Sequence, residues 1–347
     1  MADHSILLLL IFEFLFCFVI SENLESKYIK TKVLTEGMFC LTDDFLRILD
    51  EETAYSIIDC ARFCSSNADC RKFMFDKETK LCSLTESGEN CITDENVDNK
   101  VCFRQKSVCN EVNCIRCPFG YYGDQCQHII QDCSHGSQLS LFPVRRLMSF
   151  IRPSQNDRIL EVKCDFEHSV MMIQYRRFGC QELDFNRTMD EYAGGFGYPH
   201  GNYWLGLDHL YNILQNSRQF KFVVFVTFPS SSLFGWYMDF NISSRLDNYR
   251  ISINSYWPDP NYSIGDSLTN ATFNIDGRPF STYDNDSSNH NCPDRFKGGW
   301  WFLDDPVCSR ANVNGRRFDN NFEATWHWLD NLGNRTFFYD VQLRLKW

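Results

Sequence analysis

The stretch that decides the fold begins Phe280-Ser281-Thr282-Tyr283-Asp284-Asn285-Asp286, continues with Asn291-Cys292 and Gly298-Gly299-Trp300-Trp301, and ends at Cys308 and Asn314-Gly315. It places two acidic side chains one residue apart in a short polar loop. A cysteine pair then encloses two adjacent tryptophans. An extended polar loop with paired carboxylates can supply hard oxygen ligands to Ca²⁺. A solvated turn without metal is the alternative that the loop by itself leaves open.

Composition points to a secreted, disulfide-rich protein. The chain has 347 residues, enough for one large domain and one or two small ones, and 16 of its 17 cysteines lie after residue 30. That density is typical of an oxidising compartment. The formal net charge of −11 argues against nucleic acid or an anionic membrane surface as a partner.

The N-terminus predicts a signal peptide over residues 1–21. An apolar run from Ile6 to Ile20 is interrupted only by Glu13 and ends at Ser21. The run is short for a membrane span, so a signal anchor is the less favoured alternative. No later apolar stretch approaches about 20 residues. We therefore expect no membrane span after signal removal and a secreted, extracellular protein.

Six acceptor sequences for N-glycosylation lie in the second half of the sequence. This pattern predicts exposed loops there. The six asparagines are Asn186, Asn241, Asn261, Asn270, Asn285 and Asn334.

Residues 33–104 form a first cysteine-rich module. Apolar residues and cysteines recur at three- and four-residue steps over 56–64, which predicts a short amphipathic helix. Residues 71–76 alternate like a strand, and 81–84 return beside it. The Cys-x3-Cys-x5-Cys core, the aromatic strand and Cys-x-Leu resemble a PAN/apple domain.

Spacing alone leaves fifteen pairings of six cysteines open. The resemblance implies the pairs Cys40–Cys102, Cys60–Cys82 and Cys64–Cys70. Such domains bind proteins or carbohydrates, and a passive spacer is the alternative.

Residues 105–130 form a smaller second module. The segment from Cys117 to Cys126 contains an aromatic pair and two glycines that permit tight turns, and it resembles the last loop of an EGF-like domain. Four cysteines stand where six are usual, so we expect a truncated unit. The expected pairs are Cys109–Cys114 and Cys117–Cys126. A stalk is favoured over a binding site.

Residues 131–347 resemble the fibrinogen-related domain. The resemblance is carried by the opening stretch and by Asp132-Cys133, Val162-Lys163-Cys164-Asp165 and Tyr203-Trp204-Leu205-Gly206-Leu207-Asp208, in that family's order. It implies an α+β fold with a mostly antiparallel sheet, few short helices and a loop-rich C-terminal lobe that carries function. It also implies the disulfides Cys133–Cys164 and Cys292–Cys308. Cys91 and Cys180 are left over. They pair with each other or link chains into an oligomer.

The resemblance also implies a weak calcium site. Counted back from the first cysteine of the hairpin, Asp284 and Asp286 occupy the positions of the family's two carboxylate ligands. Ser288 and His290 occupy the positions whose backbone carbonyls complete the shell. If the loop is instead aligned from Ser281-Thr282, each aspartate shifts by one position of the family pattern. Asp284 and Asp286 remain the candidate ligands in both alignments. A glycan on Asn285 would crowd the ion, so we expect poor occupancy of either the metal or that glycan.

Lectin-like members of the family hold an acetyl group in a pocket beside this loop. Phe296 and Phe322 match aromatic positions of that pocket. Ser309 replaces the usual histidine, and Glu323 stands where a small residue is usual. An added carboxylate would favour a cationic or hydroxyl-rich ligand over a simple N-acetyl group.

Other positions leave the state of that pocket open. The segment 303–306 is longer than usual, and the resemblance leaves open whether the Val307–Cys308 peptide is cis, as it is in many members. Core packing is the favoured role for Trp300, Trp301 and Trp328, and less so for Trp326.

Two functions follow, with an enzyme as a third and disfavoured class. The chain has no Gly-x-Ser-x-Gly, His-Glu-x-x-His or phosphate-loop motif, and Asp266-Ser267 and His290 are better interpreted as core and loop polar groups. The favoured function is a calcium-dependent lectin or pattern-recognition protein of innate immunity that binds glycans or acetylated surface groups. The alternative is an extracellular protein–protein interaction or adhesion factor without sugar binding.

Overall fold

The computed structural model describes residues 28–31, 33–35, 48–66, 70, 72–85, 91–93, 100–105, 117, 119–140, 147–155, 157–178, 182–199, 201–215, 219–228, 230–329, 335–336 and 338–347. The chain falls into two compact units, Met1–His128 and Ile129–Trp347. Within the described ranges, no helix is both long enough and apolar enough to cross a membrane.

The first unit contains the strands β1 (Tyr28–Thr31), β2 (Val33–Thr35), β3 (Ile48–Thr53), β4 (Lys72–Asp76), β5 (Leu81–Thr85), β6 (Cys91–Thr93), β7 (Lys100–Gln105) and β8 (Tyr121–Tyr122), and the helix α1 (Ile57–Ser66). Strand β9 (His128–Ile129) lies where the two units meet in sequence. An antiparallel sheet has the order β1-β7-β4-β5-β3, and β2 pairs with β6 in parallel.

The core of the first unit is small and stapled by disulfides. Helix α1 carries Cys60 and Cys64, which bond to Cys82 and Cys70. All four cysteines are buried, together with Phe73 and other apolar residues of the hairpin β4–β5. The helix and the hairpin lie where the cysteine and apolar spacing predicts them, and these two bridges are pairs that the PAN resemblance implies.

The expected pairs Cys40–Cys102 and Cys109–Cys114 each include a cysteine outside the described residues. Cys40, Cys109, Cys114 and Cys180 lie outside the described residues. Cys91 and Cys102 are described only by the backbone of β6 and β7. Farther along the sequence, Cys117 bonds to Cys126, as the EGF-like resemblance implies.

The second unit contains the helices α2 (Cys133–Gln138), α3 (Met189–Gly194), α4 (Leu207–Leu214) and α5 (Cys292–Phe296), with 3-10 turns at Arg245–Asp247 and Phe322–Ala324. Its strands are β10 (Leu147–Ile151), β11 (Leu160–Asp165), β12 (Val170–Arg177), β13 (Phe196–Gly197), β14 (Tyr203–Trp204), β15 (Lys221–Thr227), β16 (Ser232–Ile242), β17 (Ile251–Trp257), β18 (Thr269–Asn270), β19 (Phe273–Asn274), β20 (Ala311–Asn312), β21 (His327–Leu329), β22 (Arg335–Thr336) and β23 (Asp340–Lys346).

The main sheet of this unit has the order β10-β11-β12-β23-β15-β16-β17 and is antiparallel. Strand β23 lies between β12 and β15, pairing Val170 with Lys346 on one side and Thr227 with Asp340 on the other. Alternate side chains of β15 point into the core, as a strand with one buried face requires. The predicted α+β fold with a mostly antiparallel sheet and few short helices is confirmed.

After β17 the chain forms short strands, α5 and long loops. Trp300, Trp301, Trp326 and Trp328 are each at most 3% exposed, so all four are core residues, including Trp326. The disulfides Cys133–Cys164 and Cys292–Cys308 are both formed in this unit. The loop-rich lobe therefore has a rigid interior.

Candidate functional site

The two adjacent tryptophans fix the start of the acidic loop. The backbone N–H of Ser281 donates to the carbonyl of Trp300 at 2.9 Å, and the reverse bond is 3.1 Å. The indole N–H of Trp301 donates to the carbonyl of Tyr249 at 2.8 Å, and its ring meets that of Phe280 edge-on at 5.0 Å. Because these residues are buried, the loop leaves the core from a fixed point.

Gly299, before the tryptophans, is required by close packing. Its N–H donates to the hydroxyl of Tyr192 at 2.9 Å. An added Cβ would lie 2.7 Å from ring atoms of both Tyr192 and Phe280, too close for any side chain. The Tyr192 hydroxyl donates in turn to the carbonyl of Phe185 at 2.7 Å. Burial raises the pKa of Tyr192, so this hydroxyl stays neutral.

Asp284 ties the loop to a distant helix. Its Oδ1 accepts a hydrogen bond from the hydroxyl of Thr282 at 2.7 Å and another from the N–H of Met189 at 3.0 Å. Met189 opens helix α3, whose N-terminus is capped by Thr188 and Glu191 in a reciprocal capping box. One of the two predicted calcium carboxylates thus also makes structural bonds.

The other predicted ligands shape the second half of the loop. Asp286 Oδ1 accepts from the N–H of Ser288 at 2.8 Å. The buried hydroxyl of Ser288 accepts from the N–H of His290 at 3.4 Å and from that of Cys292 at 3.3 Å. His290 Nε2 lies 3.9 Å from Asp304 Oδ1. This sequence of turns connects the acidic loop directly to α5.

The donor set fits a weak calcium site. Asp284 and Asp286 are both exposed, and the bonds described above use Oδ1, so the Oδ2 atoms are the oxygens that can face a cation. Among the described residues, no three His, Cys, Asp or Glu side chains gather closely enough to hold a metal by themselves. A Ca²⁺ ion here would depend on two carboxylates, backbone carbonyls and water, and would order the loop.

The predicted pocket is crossed by an ion pair. Arg295 of α5 reaches Glu323 with two hydrogen bonds, Nε to Oε2 at 3.0 Å and Nη2 to Oε1 at 2.5 Å. Its Nη1 donates to the carbonyl of Pro306 at 2.9 Å and lies 3.2 Å from the sulfur of Cys308. The carboxylate of Glu323 is therefore already paired with a cation, contrary to the expectation that it would face a cationic ligand.

The remaining predicted pocket residues are engaged in packing. Phe296 is 2% exposed and meets Phe302 edge-on at 5.3 Å. The buried Ser309 hydroxyl closes a turn, donating to the carbonyl of Ala311 at 2.8 Å and accepting from its N–H at 3.1 Å. Half-buried Phe322 stacks on His327 at 5.5 Å. The structure brings these residues into one region, where each of them packs against or bonds to a neighbour.

The peptide bond between Val307 and Cys308, whose cis or trans state the sequence left open, is trans. None of the peptide bonds among the described residues is cis, and Cys308 has a φ of 63°. Asp305 Oδ1 accepts from the N–H groups of both residues, at 2.7 Å and 3.3 Å. The extra residues of the segment 303–306 thus satisfy these amides internally.

Two cavities lie elsewhere on the second unit, and their walls do not include the predicted pocket residues. One, of about 240 Å³, is lined in part by Arg176, Asp184 and Lys297. The other, of about 300 Å³, is lined in part by Arg158 and His209. Burial lowers the pKa of Arg176 to about 10. Its guanidinium lies over the ring of Phe185 at 4.4 Å and donates to the carbonyls of Val313 and Gly315, so it is a structural cation.

Sequence reasoning missed Arg295. A signal was present, since Arg295 is the one basic residue within the helix that follows Cys292, one position before Phe296. The contact with Glu323 joins segments 28 residues apart, and spacing does not reveal such a pairing.

Comparisons with known proteins agree with this architecture. The family model described as fibrinogen beta and gamma chains, C-terminal globular domain, matches residues 125–346, and the PAN domain model matches residues 42–110. Ficolin-3 of Homo sapiens is 33% identical over 165 residues, covering 46% of this chain and 51% of its own length. Tenascin of Gallus gallus is 30% identical over 190 residues, covering 54% of this chain and 10% of its own length. The chain thus spans between a tenth and about half of the length of these relatives.

Among solved structures, the fibrinogen-like globe domain of human ANGPTL2 has a TM-score of 0.53 and 25% identity, covering 62% of this chain and 98% of that domain.

Proposed function

The protein belongs to the family defined by the C-terminal globular domain of the fibrinogen beta and gamma chains, and from that premise we propose that it is a secreted extracellular binding protein that recognises another protein. The cysteine-rich composition supports the location. The ion pair between Arg295 and Glu323 supports this choice of ligand, since it joins two segments that carry predicted pocket residues and occupies the carboxylate of Glu323. Phe296 and Ser309, which were expected to contact a sugar, are both buried, so little of their surface is available to one.

A calcium-dependent lectin is the second candidate. The exposed carboxylates of Asp284 and Asp286, and the half-buried ring of Phe322, favour it. In that case a ligand would have to displace or bridge the ion pair, and calcium would act by ordering the loop beside it. The PAN domain and the EGF-like module would then act as a second binding site or as a stalk.

One experiment separates the two candidates. The full secreted glycoprotein is applied to an array of purified extracellular protein domains and to a glycan array, each with calcium and with EDTA. We expect an extracellular domain to bind and acetylated glycans not to bind. Binding to acetylated glycans that EDTA abolishes would favour the lectin instead.

A matched variant tests the role of the ion pair. Arg295→Met with Glu323→Gln removes both charges at similar side-chain volume. If the ion pair closes the site, this double variant gains glycan binding that the wild type lacks. The same profile for both proteins would mean that the ion pair does not decide ligand choice.

A further inference from the structure

The outer face of the main sheet carries a continuous group of aromatic rings, here named the aromatic sheet face: Phe225, Phe234, Trp236, Trp257 and Tyr262. Phe225 and Phe234 face each other across β15 and β16, with ring centroids 6.4 Å apart and planes at 9°. Phe234 also meets Trp236 edge-on at 5.7 Å and stacks on Tyr262 at 6.2 Å. Trp257 pairs with Trp236 across β16 and β17, and directly paired residues share a face.

This face is distinct from the core. Side chains that alternate with it, such as Phe222, Val224 and Tyr237, are fully buried on the opposite side of the same strands. On the aromatic sheet face, Trp257 is 65% exposed and Tyr262 is 54% exposed. Large apolar surfaces of this kind mark interaction sites in soluble proteins.

The cations on this face set it apart from the otherwise acidic molecule. The ammonium of Lys346 lies 5.0 Å from the ring centroid of Trp236, and the guanidinium of Arg344 lies 3.7 Å from that of Phe225. Lys221 pairs with Lys346 across β15 and β23. Burial lowers the pKa of Lys346, and the charges of Lys221 and Arg344 lower it further, whereas Asp165 opposes them. A cluster of like charges in a protein of net charge −11 is complementary to an anion.

We infer that the aromatic sheet face is a docking surface for an acidic segment of a partner protein, whose apolar side chains cover the rings and whose carboxylates meet Lys221, Arg344 and Lys346. This inference rests on the proposed function, because it names the surface and the chemistry of the partner. Tyr, Trp and Arg are the residues that contribute most to protein interfaces. A sulfated glycan is less favoured, since the face has more rings than cations and two of the cations lie over rings.

The test uses the full secreted protein and a short synthetic peptide that alternates Glu or Asp with Leu or Phe. Binding is measured by calorimetry for the wild type, Trp257→Ser and Lys346→Glu. Tyr198→Ser is the matched control, because Tyr198 is 50% exposed and lies outside the aromatic sheet face. We expect each face variant to weaken binding at least about tenfold and the control to change it little. Higher salt should weaken binding by the wild type as well.

Three results of the peptide experiment would overturn the inference. The first is equal affinity of the wild type and Trp257→Ser for the peptide. The second is tighter binding of a heparin oligosaccharide than of the acidic peptide. The third is peptide binding that appears only in Asn261→Gln, because a glycan next to Tyr262 would then cover the face in the natural protein. An extracellular domain that binds Trp257→Ser and Lys346→Glu as tightly as the wild type would exclude this face while leaving the proposed function intact.

Discussion

The carboxylate of Asp284 accepts a hydrogen bond from the backbone N–H of Met189, although 95 residues separate them in sequence. This bond joins the acidic loop to the first turn of α3, where a carboxylate also interacts favourably with the helix N-terminus. The same side chain is a predicted calcium ligand. Its structural and metal-binding contributions can therefore be measured separately.

The first prediction separates these contributions by thermal melting in calcium and in EDTA. Asp284→Ala should lower the free energy of unfolding in both buffers, by roughly 1–3 kcal/mol in EDTA, because the N–H of Met189 loses its partner. Asp284→Asn keeps an acceptor oxygen and should lose the calcium-dependent part together with the smaller charge interaction at the helix N-terminus, about 0.3–1 kcal/mol. The calcium-dependent part is about 2.7 kcal/mol at a hundredfold excess of calcium over Kd.

Asp286→Ala serves as the comparison. Its bond to the N–H of Ser288 is local, joining residues two apart within the loop, so its effect should appear mainly in calcium. If the wild type melts at the same temperature in both buffers, the loop binds no calcium and is a polar turn.

The second prediction concerns the strength of the ion pair across the predicted pocket. A double-mutant cycle with Arg295→Met and Glu323→Gln should give a coupling energy of about 0.5–1 kcal/mol, because both side chains remain about a third exposed. The local pair Asp294–Lys297, which has one hydrogen bond instead of two, is the matched control and should give less. Denaturant unfolding measures both. A coupling that is the same for the two pairs would contradict a special role for Arg295.

The third prediction concerns the hairpin disulfide. Replacing Cys292 and Cys308 together by serine should destabilise the second unit by about 3 kcal/mol in the chain-entropy model, since the bond closes a loop of 16 residues. The double variant Cys117→Ser with Cys126→Ser should leave the transition of the second unit unchanged. Calorimetry of each variant resolves the two cases, and an unchanged melting temperature without the Cys292–Cys308 bond would refute the prediction.

The fourth prediction is a pH dependence from His209. Burial lowers its pKa, and the guanidinium of Arg158, 2.5 Å from Nε2, lowers it further, whereas Asp208 and Asp157 oppose the shift. The pKa of an unfolded histidine is about 6.5. The stability due to the neutral imidazole is therefore complete above that pH, and it decreases as the pH falls through the lower folded value.

Melting temperatures between neutral and acidic pH test this dependence. His209→Gln should lose part of the slope that the wild type shows. A wild type and a His209→Gln variant with parallel pH profiles would show that His209 does not contribute.

The fifth prediction concerns glycan occupancy. The Nδ2 atom of Asn285, which would carry a glycan, donates to Asn248 Oδ1 at 3.1 Å, and the side chain is half-buried. Asn261 is exposed. Glycopeptide mass spectrometry should therefore find lower occupancy at Asn285 than at Asn261. Full occupancy at Asn285 would contradict the geometry of this loop.

The fold could be predicted because its signals are short and ordered. Cysteine spacing and alternating apolar residues located helix α1 and its hairpin. The motif with Trp300 and Trp301 located the disulfide hairpin, and both rings are buried as expected. These features depend on neighbours in sequence or on a motif that one family repeats.

The state of the candidate site could not be predicted in the same way. Whether Glu323 faces solvent or Arg295 depends on how the turn that contains Glu323 packs against helix α5. The sequence does not show which charged residues will pair across these two segments. The aromatic sheet face depends on the register of β15, β16 and β17, which brings Phe225, Trp236 and Trp257 onto one side. Alternation identifies two faces of a strand but does not indicate which one meets the core.

The position of β23 between β12 and β15 has a consequence for biosynthesis. Neither neighbour can complete its hydrogen bonds until residues 340–346 have left the ribosome. During synthesis the edges of β12 and β15 are therefore exposed, and such edges are templates for aggregation. We expect this unit to close only once residues 340–346 are available to pair, with chaperones covering the edges of β12 and β15 until then.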